Sequence, residues 1–233
     1  MTNSEGSEIL RDFVSLFFPT PCMACGESLL KGEETICTSC LLELPETDHH
    51  LNSENPLLHR LSYRIPLRYG MACYRFTKNG RVQRLLHALK YKGHHEIGTR
   101  LGRVYGEKLV EAGTYDGFDL ILPVPLHVSR LRKRGYNQSA KFGEGLAEKL
   151  MIPCTDKLIK RLQKTETQTR KSRVRRWENI ANVFKVVVPE LVKGRSILLV
   201  DDVITTGSTI EACANALFSE GARELSIACI AEA

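Results

Sequence analysis

The chain has 233 residues, 42% of them hydrophobic, enough to bury a substantial core, and one α/β domain with a small appendage fits that length better than two equal halves. The longest apolar stretches fall far short of the ~20 residues a bilayer span needs, and Glu5, Glu8, Arg11 and Asp12 stand where an export signal would carry a basic start and an apolar run, so a cytoplasmic protein without membrane insertion is expected. The formal charge of +6 is modest, but the cations are concentrated in a few segments, and local concentration governs anion binding.

Ile9, Phe13, Leu16 and Phe17 have helical spacing ahead of Pro19, which predicts a short amphipathic helix. Acidic residues among its polar positions favour packing on the rest of the chain over a membrane surface. Cys22-Met23-Ala24-Cys25 and Cys37-Thr38-Ser39-Cys40 follow, separated by eleven residues. Two such turns can converge four sulfurs tetrahedrally on one soft cation, with zinc the first choice. Disulfides are disfavoured without an export signal, and a redox role is disfavoured by two Cys-x-x-Cys pairs in one small module. Four thiolates on Zn²⁺ leave no open position, so the metal is expected to be structural, adding on the order of 10 kcal/mol to the folding of a segment too small for its own core. The site adds −4 + 2 = −2 and brings the formal charge from +6 to about +4. Cys73, Cys154, Cys213 and Cys229 sit among apolar neighbours and read as core.

The polar stretch 45–56 reads as a connector, which divides the chain into a module at 1–55 and a larger domain at 56–233. Arg68 to Phe76 predicts a strand, and Val82, Leu85, Leu86 and Leu89 give one face of a helix that ends near Gly93. Lys90 and Lys92 at its end could contact an anion or simply complement the helix dipole. Val104 to Val110 suggests another helix, and Asp119 to Val124 a buried strand running into Pro123-Val124-Pro125. Next comes Leu126 to Ser139, with four cations in the five positions from Arg130 to Arg134, costly to bury without an anion and otherwise a solvated surface. Phe142, Leu146 and Leu150 mark the helix that follows. A second basic stretch, Lys157 to Arg176, holds nine Lys and Arg with few apolar residues, and so reads as an exposed element. Trp177 beyond it could stack on a base, although anchoring the loop is the commoner use.

Ile197 to Val200 forms an unbroken apolar run, read as a strand covered on both faces, and Ile210, Ala214, Leu217 and Phe218 have the spacing of a helix. Between them lie Asp201, Asp202, Thr205, Thr206, Gly207, Ser208 and Thr209. The first amides of a helix lack intrahelical partners and the macrodipole there is positive, so a phosphate gains charge-assisted hydrogen bonds in that turn. Gly207 permits a positive φ and a close main-chain approach. Carboxylates facing a phosphate would repel it, so the two acids are better suited to accept hydrogen bonds from neutral hydroxyls such as a ribose diol. Capping a turn needs one such residue, not six. A receiver domain would need a further aspartate downstream, and none follows Asp202. A Walker-type NTPase would need G-x-x-x-x-G-K-[ST], which is absent.

This strand, acid pair and Thr/Gly/Ser loop resembles the binding segment of the type I phosphoribosyltransferases. Over nearly its whole length the chain resembles the ComF/GntX family, through Leu16-Phe17-Phe18-Pro19 with the four cysteines, Leu89-Lys90-Tyr91-Lys92-Gly93, Pro123-Val124-Pro125 with Arg134-Gly135-Tyr136-Asn137-Gln138, and Gln168 with Arg176, Asn179 and Phe184. The resemblance implies a parallel sheet with helices on both faces beside a zinc knuckle. It implies that Asp201 and Asp202 contact the ribose of phosphoribosyl pyrophosphate, bound with Mg²⁺, and that Thr205 to Thr209 wrap its 5′-phosphate. Pro125, Leu126, Arg130 and Arg134 fall where such enzymes hold pyrophosphate, and the segment with Gln168, Arg173, Arg175 and Arg176 becomes a hood. The family further implies a role in bringing transforming single-stranded DNA into the cell, with a competence helicase and a recombination mediator as partners. The transfer acceptor is unspecified. The alternative is an adaptor that keeps the fold without catalysis and binds single-stranded DNA through the basic segment, with a steep salt dependence.

Overall fold

The computed structural model describes residues 19–114, 116–162 and 183–233. In chain order its elements are α1 (Thr38–Glu43), α2 (Pro56–Ser62), β1 (Gly70–Arg75), α3 (Arg81–Tyr91), α4 (Glu96–Glu111), β2 (Leu120–Pro123), α5 (Val128–Arg134), α6 (Gln138–Leu150), β3 (Ile159–Arg161), β4 (Phe184–Val186), β5 (Ser196–Ile204), α7 (Ser208–Ser219) and β6 (Glu224–Glu232). The expected helix around Ile9 to Phe17 and the basic residues from 163 to 182 lie outside the described residues.

Four strands form one sheet in the order β1-β6-β5-β2, every neighbouring pair parallel. Ile121 also bridges Cys154 in parallel, a rudimentary fifth strand beyond β2. Such sheets need cover on both faces, and the central strands are accordingly apolar throughout: Ile197 to Val200 and Ile227 to Ala231 are fully buried. One face packs Leu198, Val200, Ala228 and Ile230 against Leu89 of α3, Leu101 and Tyr105 of α4, and Phe142 and Leu146 of α6. The other packs Ile197, Leu199, Ile227 and Cys229 against Leu57 and Leu61 of α2, Cys213 and Leu217 of α7, and the antiparallel β3–β4 pair. The expected helix at Val104 to Val110 is the middle of the longer α4, and α5 lies inside the basic segment, where its lack of any buried residue leaves no apolar period to read.

Helices α4 and α6 touch backbone to backbone. A side chain on Gly102 would run into the Phe142 carbonyl and one on Gly145 into the Thr99 carbonyl. Small residues at these positions let α6 lie close against α4, and this fixes where its N-terminus stands above the sheet.

The cysteine turns do not form a separate body. Cys22, Ala24, Ile36, Cys40 and Leu44 share a core with α3 and α4, and the connector docks on the sheet through a Glu46–Tyr74 bridge and the Thr47 amide on the Cys73 carbonyl. Thr47, His49 and Asn55 are consequently buried, which a polar linker would not be.

Candidate functional site

The topology marks one crevice. After β2 the chain passes to α5 and α6 and out to Cys154, while after β5 it turns to the opposite face as α7 and returns as β6 on the other side. The carboxyl ends of β2 and β5 are therefore the switch point at which open parallel sheets bind ligands. Pairing of Pro123 with Val200 sets Val124-Pro125 beside Asp201.

Strand β5 runs past the apolar residues and carries both acids within it, pairing as far as Ile204 with Glu232. Successive strand residues alternate in direction. Asp201 joins Val203 to Ile210 in lining a recess of about 50 Å³ at the start of α7, and Asp202 does not. Instead Asp202 turns to the α3 face, where Lys90 Nζ lies 3.0 Å from its Oδ1.

Asp201 Oδ1 accepts hydrogen bonds from Ser139 Oγ at 2.9 Å and from the Asp202 amide at 2.8 Å. Burial, reinforced by the neighbouring Asp202 charge, nevertheless pushes its pKa up to about 7. Ser139 is placed by the α6 cap: Asn137 Oδ1 accepts from the Ser139 amide at 3.1 Å, and Asn137 Nδ2 donates to the Val124 carbonyl at 2.9 Å. The cap thus joins the β2 end to the β5 acid.

Gly207 precedes α7 with φ 78°, and a Cβ there would collide with Leu61 of α2. Its missing side chain serves packing against α2 as well as the turn. Thr205, Thr206 and Ser208 are exposed and Thr209 half-buried, with Thr206 and Ser208 hydroxyls 3.1 Å apart. Arg64 Nη1 donates to the Thr206 carbonyl at 2.8 Å and lies 3.6 Å from Glu211, bracing the loop from behind. Nothing near Arg64 in the sequence announces this.

Pro125 is buried, Leu126 half-buried, and Arg130 and Arg134 lie on α5, Arg130 exposed and Arg134 half-buried. Arg134 stacks its guanidinium 5.4 Å from the Tyr91 ring centre and donates to Gln138 Oε1 at 2.7 Å. Arg161, at the end of β3, was not among the sequence candidates. Burial and then the Arg130 charge lower its pKa while Asp201 opposes them, and its guanidinium lies 5.4 Å from the Phe184 ring centre. With Leu126, Asn137 and Lys160 it lines a cavity of about 270 Å³. Gln168, Arg173, Arg175, Arg176 and Trp177 lie outside the described residues.

At the other end of α3 the sulfurs of Cys22, Cys25, Cys37 and Cys40 all lie within 4.8 Å of one another, with Cys25 and Cys37 at 3.9 Å. A tetrahedron with 2.3 Å metal–sulfur bonds requires about 3.8 Å between ligands, so this cluster can hold a metal. Amides support the sulfurs: Cys37 and Ala24 donate to Cys22 Sγ at 3.3 and 3.4 Å, and Cys40 donates to Cys37 Sγ at 3.4 Å. Against burial, these donors bring the Cys22 thiol down to about 6, while burial and the other cysteines push Cys40 up. Crowding of the sulfurs opposes further ionisation, and a bound dication would relieve it. A larger recess, about 640 Å³, is lined by Cys22 to Gly26 and by Gln83, Arg84 and His87 of α3. Cys73, Cys213 and Cys229 are buried in the core, as expected, and Cys154 is partly buried beside it.

Comparison with known proteins agrees with this geometry. The chain is 30% identical over 212 residues to "DNA utilization protein YhgH" of Escherichia coli O157:H7, covering 90% of this chain and 88% of that protein. It is likewise 30% identical over 207 residues to "Competence protein F" of Haemophilus influenzae, covering 88% and 82%. The chain belongs to the ComF family. The family profile described as "Phosphoribosyl transferase domain" matches residues 136–233, which include α6, both acids and the α7 loop. The ComF chain therefore has the type I phosphoribosyltransferase fold, a parallel sheet with helices on both faces, with the four-cysteine cluster at its N-terminal side. Among solved structures, a Bacillus subtilis glutamine phosphoribosylpyrophosphate amidotransferase is 20% identical with a TM-score of 0.41, over 58% of this chain and 26% of that one. No helix among the described residues is long and apolar enough to cross a membrane.

Proposed function

We propose that the protein binds phosphoribosyl pyrophosphate with Mg²⁺ at the β5–α7 loop. The observation that carries this reading is the recess in which a half-buried carboxylate, Asp201, meets the hydroxyls and amides that open α7. The 5′-phosphate sits in Thr205 to Thr209, where unpaired amides and the dipole favour an anion. Asp201 and Asp202 accept from the ribose diol, and Pro125, Leu126, Arg130 and Arg134 face the pyrophosphate. Mg²⁺, when bound, would neutralise charge on the pyrophosphate that Arg130 and Arg134 face. Transfer at C1 builds charge on the departing pyrophosphate, and cations already aimed there lower that barrier. The acceptor is specified by no residue pattern.

Zinc in the four cysteines is structural, and the knuckle of the 1–55 segment shares the core of the phosphoribosyltransferase-like domain at 56–233 rather than standing apart from it. The names of the relatives, a DNA utilization protein and a competence protein, support a role in DNA use and competence, and the family resemblance implies a cytoplasmic protein with single-stranded DNA, a helicase and a recombination mediator as partners. Isothermal titration with phosphoribosyl pyrophosphate, with and without Mg²⁺, tests the core of this reading. Binding should require Mg²⁺ and disappear in the double variant Asp201→Asn/Asp202→Asn; wild-type affinity in that variant refutes the assignment. Pyrophosphate release against a panel of bases then separates enzyme from binder.

A further inference from the structure

Lys90 pairs with one of the two acids of the crevice. It occupies the last turn of α3, with its Nζ 3.0 Å from Asp202 Oδ1 and both side chains largely buried, at 23% and 14% exposure. The neighbouring residues of the same turn hold the cationic segment: the Tyr91 ring lies under the Arg134 guanidinium, and the Leu89 carbonyl accepts from the Tyr136 hydroxyl. The turn that carries the ammonium therefore joins the acid read as a diol acceptor to the helix read as a pyrophosphate site. A buried carboxylate beside a second carboxylate needs a counter-charge when no ligand is bound, and Lys90 supplies it to Asp202. An ammonium on a four-carbon stem can redirect its donors without any movement of the backbone.

We propose that Lys90 is a binding residue for pyrophosphate that is held on Asp202 until ligand arrives, and is handed from the carboxylate to the phosphate oxygens as the ribose diol takes its place. This rests on the reading of the β5–α7 loop given above. The diol supplies Asp202 with two neutral donors, and the anionic pyrophosphate beside Arg134 draws the ammonium more strongly than one carboxylate does. The same lysine would then stabilise charge on the leaving group, in the direction that favours transfer over simple retention.

The two half-ligands separate the possibilities. Wild type, Lys90→Gln, Lys90→Arg and Asp202→Asn are titrated with Mg²⁺–pyrophosphate and, separately, with ribose 5-phosphate. Lys90→Gln should weaken pyrophosphate about tenfold, the loss of one charge-assisted contact, while leaving ribose 5-phosphate unchanged or tighter because its competitor for Asp202 is gone. Lys90→Arg should restore pyrophosphate binding, and Asp202→Asn should weaken ribose 5-phosphate without weakening pyrophosphate. Unchanged pyrophosphate affinity in Lys90→Gln overturns the proposal, as does an equal loss of both ligands, which marks a merely structural ion pair. If wild type binds neither half-ligand, the phosphoribosyl reading itself has failed and this one falls with it.

Discussion

Ser139 Oγ donates a 2.9 Å hydrogen bond to Asp201 Oδ1, joining the first turn of α6 to the end of β5. It is one of only a few favourable contacts offered to a carboxylate that burial and Asp202 both disfavour. In Ser139→Ala that donor is lost, and the Asp201 carboxyl should move its titration up by on the order of one pH unit, followed by carbon-detected NMR of the labelled side chain. An unmoved titration would show that the amide of Asp202 suffices alone.

The raised pKa of Asp201, about 7 against an ordinary 3.8, makes the fold pH-sensitive in an unusual direction. Between those values the native state holds a proton that the unfolded chain has released, so the contribution is fully present below pH 4 and is lost as pH rises through 7. Asp201→Asn carries no such proton. Its melting temperature relative to wild type should therefore climb between pH 5 and pH 8, in buffer free of divalent cations, and a difference that stays flat would contradict the burial of a charge there.

Gly207→Ala strains the chain twice, once through φ 78° and once against Leu61. The left-handed conformation costs roughly 1–2 kcal/mol and the overpacking about 1–3. Urea unfolding should show a loss of about 2 kcal/mol or more, with weaker phosphate binding at the loop. A loss under about 0.5 kcal/mol would mean that α2 yields freely.

Metal removal should act on the core, not only on the knuckle, because Cys22, Cys40, Ile36 and Leu44 pack with α3 and α4. A strong chelator should release close to one zinc per chain by elemental analysis and lower the melting temperature of the whole protein in a single transition. Two separate transitions would show that the knuckle folds by itself.

Much of the fold was legible in the chain because its signals are local. Ile197 to Val200 could only be a strand covered on both faces, and the helical faces of α3 and α6 were set by apolar spacing. The final strand β6 is equally apolar but short of punctuation, and β3, β4 and α2 are too brief for periodicity. Helix α5 escaped because none of its residues is buried. In the site, Asp201, Asp202 and the Thr205 to Thr209 loop are contiguous, so their chemistry could be read directly. Arg64, Ser139 and Arg161 are remote in sequence and acquire a role only by proximity.

The sequence by itself determined the reading of Thr205 to Thr209 as an anion-binding loop and of the four cysteines as a cluster that can hold a metal, since each depends on residue types at short fixed spacing. Only the tertiary structure decided that the paired acids part company, Asp201 lining the recess and Asp202 held by Lys90. The reason is that strand alternation sends neighbours to opposite faces, while which helix waits on each face is fixed by long-range packing that no local pattern records.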